Sequence, residues 1–275
     1  MQGRLPTDEF YERYVAKPSE EYRQAIGPAD HLDAEAFVQF VARLKDFRKL
    51  YPNIAFWQII DFKTLQVIHS DGELELFGRP LVTFKDIFRF MHSDYLLPYL
   101  HWRTAAFELI YAQKVAPDPL NVAYRFSIPL KTRGDDFFWF TMNSTIVQID
   151  QQGRIVTMLQ TFYQESKWSP RNLRPVEASL TIRSAGQSDI ENQIITQLSL
   201  QLIDEFTNAE LDLLALYASG KTNDKIQEAK SWSRHTLHEY NANLLRKAKK
   251  LFVYDFRSAR SFAEYCAEKG YIKFT

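Results

Sequence analysis

The spacing of apolar residues changes character along the chain. Before residue 50 it is helical: Asp8 to Ala16 and Asp33 to Leu50 repeat every three or four positions, the second through Phe37, Phe40, Val41, Leu44 and Phe47. The apolar run Ile54 to Ile60, which includes Gln58, then predicts a buried strand. Asp61-Phe62-Lys63-Thr64 turns into a second strand, Leu65 to His69. Short helices are expected at Glu73 to Phe77 and Phe84 to Met91, with a longer one from Leu96 to Gln113. Three more strands follow, Tyr124 to Ile128, Phe137 to Gln148 and Arg154 to Gln164, the last two joined by the tight loop Asp150-Gln151-Gln152-Gly153. Around Phe137-Phe138-Trp139-Phe140 both faces of the sheet are apolar, so one must cover the helices and the other the lead-in helices or a second subunit.

Ser166 to Pro175, with Pro170 and Pro175, reads as the exit from this unit. Val176 to Arg183 fits one further strand. Asp189 to Asp204 fits an amphipathic connecting helix through Ile190, Ile194, Leu198 and Ile203, either transmitting a change in geometry or serving as a passive spacer.

From Phe206 onward the pattern is helical throughout. Thr207 is placed as an N-cap, Glu210 three residues on closes a capping box, and Phe206 and Leu211 form a hydrophobic staple. Leu211, Leu214 and Ala218 keep helical spacing until Gly220, placed to end the helix. A short second helix starts from Thr222, with Ile226 and Ala229 expected inward, and Ser233 caps a third helix reaching Leu251. On that third helix Leu237, Tyr240, Asn241, Leu244, Ala248 and Leu251 share one face. The opposite face carries His235, Glu239, Ala242 and Arg246, flanked by His238, Asn243, Lys249 and Lys250. Between Ser231 and Leu251 five Lys/Arg (Arg234, Arg246, Lys247, Lys249, Lys250) stand against one acid, Glu239. Cations at the far end suit phosphates, and His, Asn and Arg nearer the start could reach base edges. The same charges also describe an ordinary solvated helix face.

Order and spacing resemble the LuxR-type DNA-binding domain. The resemblance runs through Thr207…Glu210, Gly220-Lys221-Thr222-Asn223-Asp224-Lys225-Ile226, Ser233-Arg234-His235-Thr236-Leu237 and Leu244-Leu245-Arg246-Lys247. It covers about 45 residues strongly, and about 70 with a last helix to Gly270-Tyr271-Ile272. It implies four helices, the third entering the major groove and the fourth supporting dimerisation. It places His238, Glu239 and Ala242 at base-contacting positions and Thr236 near a phosphate. With the flanking polar residues, the DNA-facing set is Thr222, Arg234, His235, Thr236, His238, Glu239, Ala242, Asn243, Arg246, Lys247, Lys249 and Lys250. The chain departs from the pattern in Glu239, in Asn241 where an apolar residue is common, in Ala248 for Leu, and in a longer connection through Phe252-Val253-Tyr254-Asp255-Phe256. A helix with Ala and Glu at its centre calls for two copies acting together.

Two strands, a helical middle and three antiparallel strands resemble a PAS domain. Ile60-Asp61, Met91-His92-Ser93-Asp94 and the Asp150…Gly153 hairpin carry the local resemblance, with Ser93 departing from the usual Pro. It implies a unit that senses a small molecule, redox state or light, or that dimerises. Phe56, Trp57, Phe126 and Trp139 are the candidate lining of an apolar ligand pocket, and equally candidates for plain core. Cys266 is the one cysteine and lies in the last helix, which excludes a flavin–cysteine adduct in the sensor and any internal disulfide. A haem would call on His92 or His101. The sequence names no cofactor.

Net charge is zero, but from Phe206 to the end there are 12 Lys/Arg against 8 Asp/Glu, leaving 22 against 26 in the rest. A slightly acidic body with a slightly basic end suits a regulator whose DNA contact is confined to one end. The start lacks a signal-peptide core and no apolar run reaches spanning length, so a cytoplasmic protein is expected. No catalytic motif is present, Arg133-Gly134-Asp135-Asp136 reads as a hairpin turn, and the six histidines lack metal-ligand spacing, so an enzyme is not expected.

The expectation is an α+β chain. It has a helical lead-in (1–50), a PAS-like sensor domain with an antiparallel sheet and helices (51–166), a linker with a connecting helix (167–205), and an all-α LuxR-type helix-turn-helix domain (206–275). Its expected role is that of a bacterial, homodimeric transcription regulator binding double-stranded DNA, with room for a small ligand and no membrane contact. The alternative is an interaction or ligand-sensing module whose helix-turn-helix no longer reads DNA.

Overall fold

In a computed structural model, residues 11–17, 19–30, 34–111, 119–120, 122–175, 178–182 and 205–271 are described. The fold is α+β, and it divides into two compact units, residues 1–172 with 177–187, and residues 188–275 with 173–176.

The first unit is built on a six-stranded antiparallel sheet in the order β2-β1-β5-β4-β3-β6. The strands are β1 Ile54–Asp61, β2 Gln66–Asp71, β3 Val122–Lys131, β4 Phe137–Ile149, β5 Ile155–Lys167 and β6 Ala178–Ile182. Before the sheet come a π-helical turn, Glu12–Ala16, a short helix α1, Glu20–Ala25, and the long helix α2, Ala34–Leu50. Between β2 and β3 lie α3, Glu73–Phe77, a 3-10 turn, Phe84–Arg89, and α4, Ser93–Tyr111. Strand β1 thus lies between its hairpin partner β2 and the later strand β5, and the order of strands and helices along the chain is the one the sequence predicts. Helix α1 was not legible in the spacing.

Adjacent residues of a strand point to opposite faces, and β1 shows the consequence. Trp57 and Ile59 join Val41 and Leu44 of α2 with Val147 and Leu159, so the lead-in helix covers one face. On the other, Phe56 stacks on Phe162 at 4.0 Å and meets Phe77 edge-on at 5.2 Å. At about 25 cal/mol per Å2, each such ring contributes on the order of 2–3 kcal/mol.

Two polar latches hold the lead-in. Arg48, near the end of α2, donates to Ala55 O at 3.2 Å and pairs with Asp71 at 3.5 Å and with Glu75. Beside it Gly72 has φ of +95°, and a Cβ there would stand 2.5 Å from Ala55 O, so only glycine fits. Asp150 accepts from the N–H groups of Gly27 (2.9 Å), Gln152 (2.9 Å) and Arg154 (2.8 Å) and from the Arg154 guanidinium (2.8 Å). Burial pushes its carboxyl up, but these donors outweigh it and hold it below the usual range. The Asp150–Gly153 loop therefore closes a hairpin and also anchors the residues leading into the unit.

The second unit is all-α: α5 Asn208–Ala218, α6 Asn223–Lys230, α7 Arg234–Phe252 and α8 Ala259–Glu268. Its core is Leu213, Leu214, Ile226, Leu237, Leu244, Ala248, Phe252 and Phe262, all buried. Ala229, expected inward, is exposed, because α6 is eight residues long and turns only Ile226 to the core. Phe252, rather than the half-buried Leu251, closes the α7 stripe, since Leu244, Ala248 and Phe252 follow one another at i+4. The connecting helix expected at Asp189–Asp204 lies outside the described residues. No helix among the described residues is long and apolar enough to cross a membrane.

Candidate nucleic-acid interface

Each helix of the second unit starts where its first-turn N–H groups find a side-chain acceptor. Thr207 accepts from Glu210 N while Glu210 Oε2 accepts from Thr207 N at 2.8 Å, the reciprocal box the sequence predicts. Thr222 caps α6 through Lys225 N, and Ser233 caps α7 through Thr236 N at 3.0 Å. Between α6 and α7 only Ser231, Trp232 and Ser233 intervene, Ser231 taking φ of +54° and Trp232 N donating to Gln227 O at 3.0 Å. This tight turn swings α7 across α6, and Trp232 then stacks on Tyr240 at 4.3 Å with the rings 6° from parallel.

The outward face of α7 carries the residues read from the sequence. Arg234, His235, His238, Glu239, Ala242, Asn243, Arg246, Lys249 and Lys250 are exposed, as is Thr222, while Thr236 is half-buried. Several are engaged locally. His235 Nε2 lies 3.4 Å from Glu239 Oε1, Arg246 donates to Asn243 Oδ1 at 3.2 Å, and Thr236 Oγ1 is 2.9 Å from Ser233 Oγ. Lys249 pairs with Asp255 at 2.8 Å and Lys250 with Glu205 at 3.7 Å. Arg234 and Arg246 meet no carboxylate among the described residues, and are the cations of this face with most to gain from a phosphate.

Lys247 is placed differently from its neighbours. Its ammonium sits 2.6 Å from the Glu210 carboxylate and 5.5 Å from the centre of the Phe206 ring, which fastens the middle of α7 to the start of α5. Burial pushes the Glu210 carboxyl up, but Lys247 and the Thr207 donors hold it below the usual carboxylate range.

Asn241, a polar residue in an apolar stripe, also has a structural partner. Tyr217 Oη lies 3.0 Å from Asn223 Oδ1 and 3.0 Å from Asn241 Oδ1. One hydroxyl hydrogen serves one amide, so the other amide presents its NH2 to the hydroxyl oxygen. The Arg260 guanidinium lies over the same ring at 5.4 Å. One phenol thus ties α5, α6, α7 and α8 together. The sequence marked Asn241 only as a departure; its pairing with a tyrosine 24 positions earlier has no local signature.

In the first unit, the four aromatic residues offered as pocket lining are packed core. Phe56 is stacked on Phe162, Trp57 lies with α2 on the opposite face, Phe126 meets Tyr99 at 5.1 Å, and Trp139 meets Tyr95 edge-on at 5.3 Å. Polar groups that the apolar pattern concealed lie among them. Gln58 Nε2 donates to Gln160 Oε1 at 2.8 Å and Gln160 Nε2 to Ser144 Oγ at 3.1 Å, a buried ladder across β1, β5 and β4. Gln58 Oε1 has no donor among the described residues. His92 packs against Trp168 at 4.3 Å and Phe137 at 4.8 Å, and burial lowers its basicity, with Asp94 opposing. Among the described residues no three His, Cys, Asp or Glu side chains gather as a metal site. The Cys266 thiol is buried and pushed up in pKa by that burial, which leaves it unreactive.

No protein-family model and no curated protein matches the chain. Among solved structures it is similar to the N-terminal domain of a diguanylate cyclase with PAS/PAC sensor from Marinobacter aquaeolei, at 15% identity over 40% of this chain and 94% of that one, with a TM-score of 0.29. It is similar to the VqmA dimer of Vibrio cholerae, described as a LuxR-type receptor, at 14% identity over 89% of this chain and 91% of that one, with a TM-score of 0.29. A phage VqmA in complex with DPO is 16% identical over 85% of this chain and 90% of its own, with a TM-score of 0.27. At such scores the likeness assigns no activity or ligand to this chain.

Proposed function

We propose that this chain is a DNA-binding transcription regulator, acting as a homodimer in the bacterial cytoplasm. Its PAS-like unit senses a ligand or dimerises, and so controls a LuxR-type helix-turn-helix. The reading assigns it no catalytic reaction. The observation that supports it most is α7 itself. A capped 19-residue helix, set after a three-residue turn, buries Leu237, Leu244, Ala248 and Phe252 while holding Arg234, His238, Asn243 and Arg246 in solvent. Two copies of this helix, spaced one turn of duplex apart, would read two half-sites.

One observation favours a second reading. The centre of the exposed face is Glu239, paired with His235, and Ala242, which together offer phosphates nothing. In that reading the face docks a protein instead of DNA.

Selection of duplexes from a random library, using the intact protein at about physiological salt, separates the two. Enrichment of a two-fold-symmetric site supports a dimeric regulator. Failure to enrich any sequence, with and without extracts supplying small ligands, overturns it in favour of the docking face.

A further inference from the structure

The middle of the α7 face holds an acid where a helix meeting only phosphates would hold none. The Glu239 side chain is 62% exposed and shares a ridge with His235, Ala242 and Arg246, opposite the buried Leu237 and Leu244. The exposed cations lie toward the ends of the helix, Arg234 before Glu239 and Arg246, Lys249 and Lys250 after it. A helix laid in the major groove turns the ridge of its first half to the base edges and leaves its ends nearer the phosphates.

One turn before the acid, His235 Nε2 lies 3.4 Å from Glu239 Oε1, while Oε2 has no partner among the described residues. An ionised carboxylate only accepts, so Oε2 calls for a donor. Of the groups on the floor of the major groove, only the N4 amine of cytosine and the N6 amine of adenine donate; guanine and thymine present acceptors. Adenine sets its N7 acceptor beside the amine, where it repels a carboxylate, whereas cytosine has a C–H there. Ala242, about 5–6 Å further along the ridge, is too short to displace the base and brings no donor of its own.

We propose that Glu239 reads one cytosine in each half-site through its N4 amine, with His235 as the residue that positions the carboxylate. This rests on the regulator reading, and gives a use in sequence choice to the acid that phosphates repel.

The test selects duplexes with the intact protein, unsubstituted and as Glu239→Gln, then measures binding to the selected duplex with each base pair placed in turn at the cytosine position. The expected site has cytosine at one position of each half, and the other three pairs weaken binding about tenfold. Glu239→Gln should keep every other position and trade cytosine for adenine, whose N6 and N7 suit an amide. Glu239→Ala should bind the four pairs alike. His235→Ala should narrow the preference for cytosine, and His235→Gln, which still donates, should restore it. Both side chains are exposed, so these variants leave the buried core of the unit untouched. Tighter binding of every duplex by the same factor in Glu239→Gln would show an acid that only repels phosphates, and overturns the assignment. So does a cytosine preference that survives Glu239→Gln, and a preference unmoved by His235→Ala overturns the positioning role. A selected site without this cytosine overturns the present inference alone. Failure of the unsubstituted protein to select any duplex overturns the regulator reading, and the base contact falls with it.

Discussion

The Lys247 ammonium and the Glu210 carboxylate lie 2.6 Å apart, and the same carboxylate closes the capping box of α5. One acid therefore starts the first helix of the unit and pins its longest one. Lys247→Ala leaves a carboxylate that is 4% exposed with only its capping partners. We expect a loss of about 2 kcal/mol, below the about 3–5 kcal/mol of a fully buried pair because Lys247 retains some contact with water. Chemical unfolding monitored through the second unit measures it; an unchanged midpoint would make the pair decorative.

Acid should loosen both units. Glu210 and Asp150 each have folded pKa values held below their ordinary 4.5 and 3.8. A depressed carboxyl stabilises the fold fully above its unfolded pKa and loses that contribution as pH falls through the folded one. Tm should hold above about pH 5 and drop below about pH 4. Glu210→Gln should lower the plateau and shallow the drop. A steeper drop in that variant would contradict the assignment.

Tyr217→Phe removes the hydroxyl that serves Asn223 and Asn241 and leaves two amides to water. The expected cost is about 1 kcal/mol. Asn241→Leu in the Tyr217→Phe background should cost less than in the unsubstituted protein. Additive losses in this double-mutant cycle would show that the two side chains do not interact.

Val253 ends α7 with φ of +53°, which a β-branched residue tolerates poorly. The strain is on the order of 1–3 kcal/mol, and the added chain entropy of glycine offsets about 1. Val253→Gly should therefore raise stability by about 1 kcal/mol, read as a higher unfolding midpoint. A lower midpoint would mean that the half-buried Val253 side chain contributes more than its backbone costs.

Arg246 is exposed and, among the described residues, hydrogen-bonded only to Asn243. If it holds a phosphate of a selected duplex, Arg246→Ala should weaken binding and lower the salt slope by about 1. If it reads a base, specificity at one position should relax while the slope holds. Binding unchanged in both respects removes it from the interface.

What the chain determined by itself was local. Caps need an acceptor within three residues, so Thr207, Thr222 and Ser233 marked three helix starts correctly. Strand and helix periods marked all six strands and the exposed face of α7, because which side of an element is apolar is written in consecutive residues. What the tertiary structure decided was every relationship between distant positions. Gln58 passed as one position of an apolar run until Gln160 came across from β5 to meet it, and Asn241 stood as a departure from the pattern until Tyr217 met it. Lys247 counted as one more cation until Glu210 took it up. A polar side chain's cost or use depends on what surrounds it in space, and spacing along a chain records only what surrounds it within a turn or two.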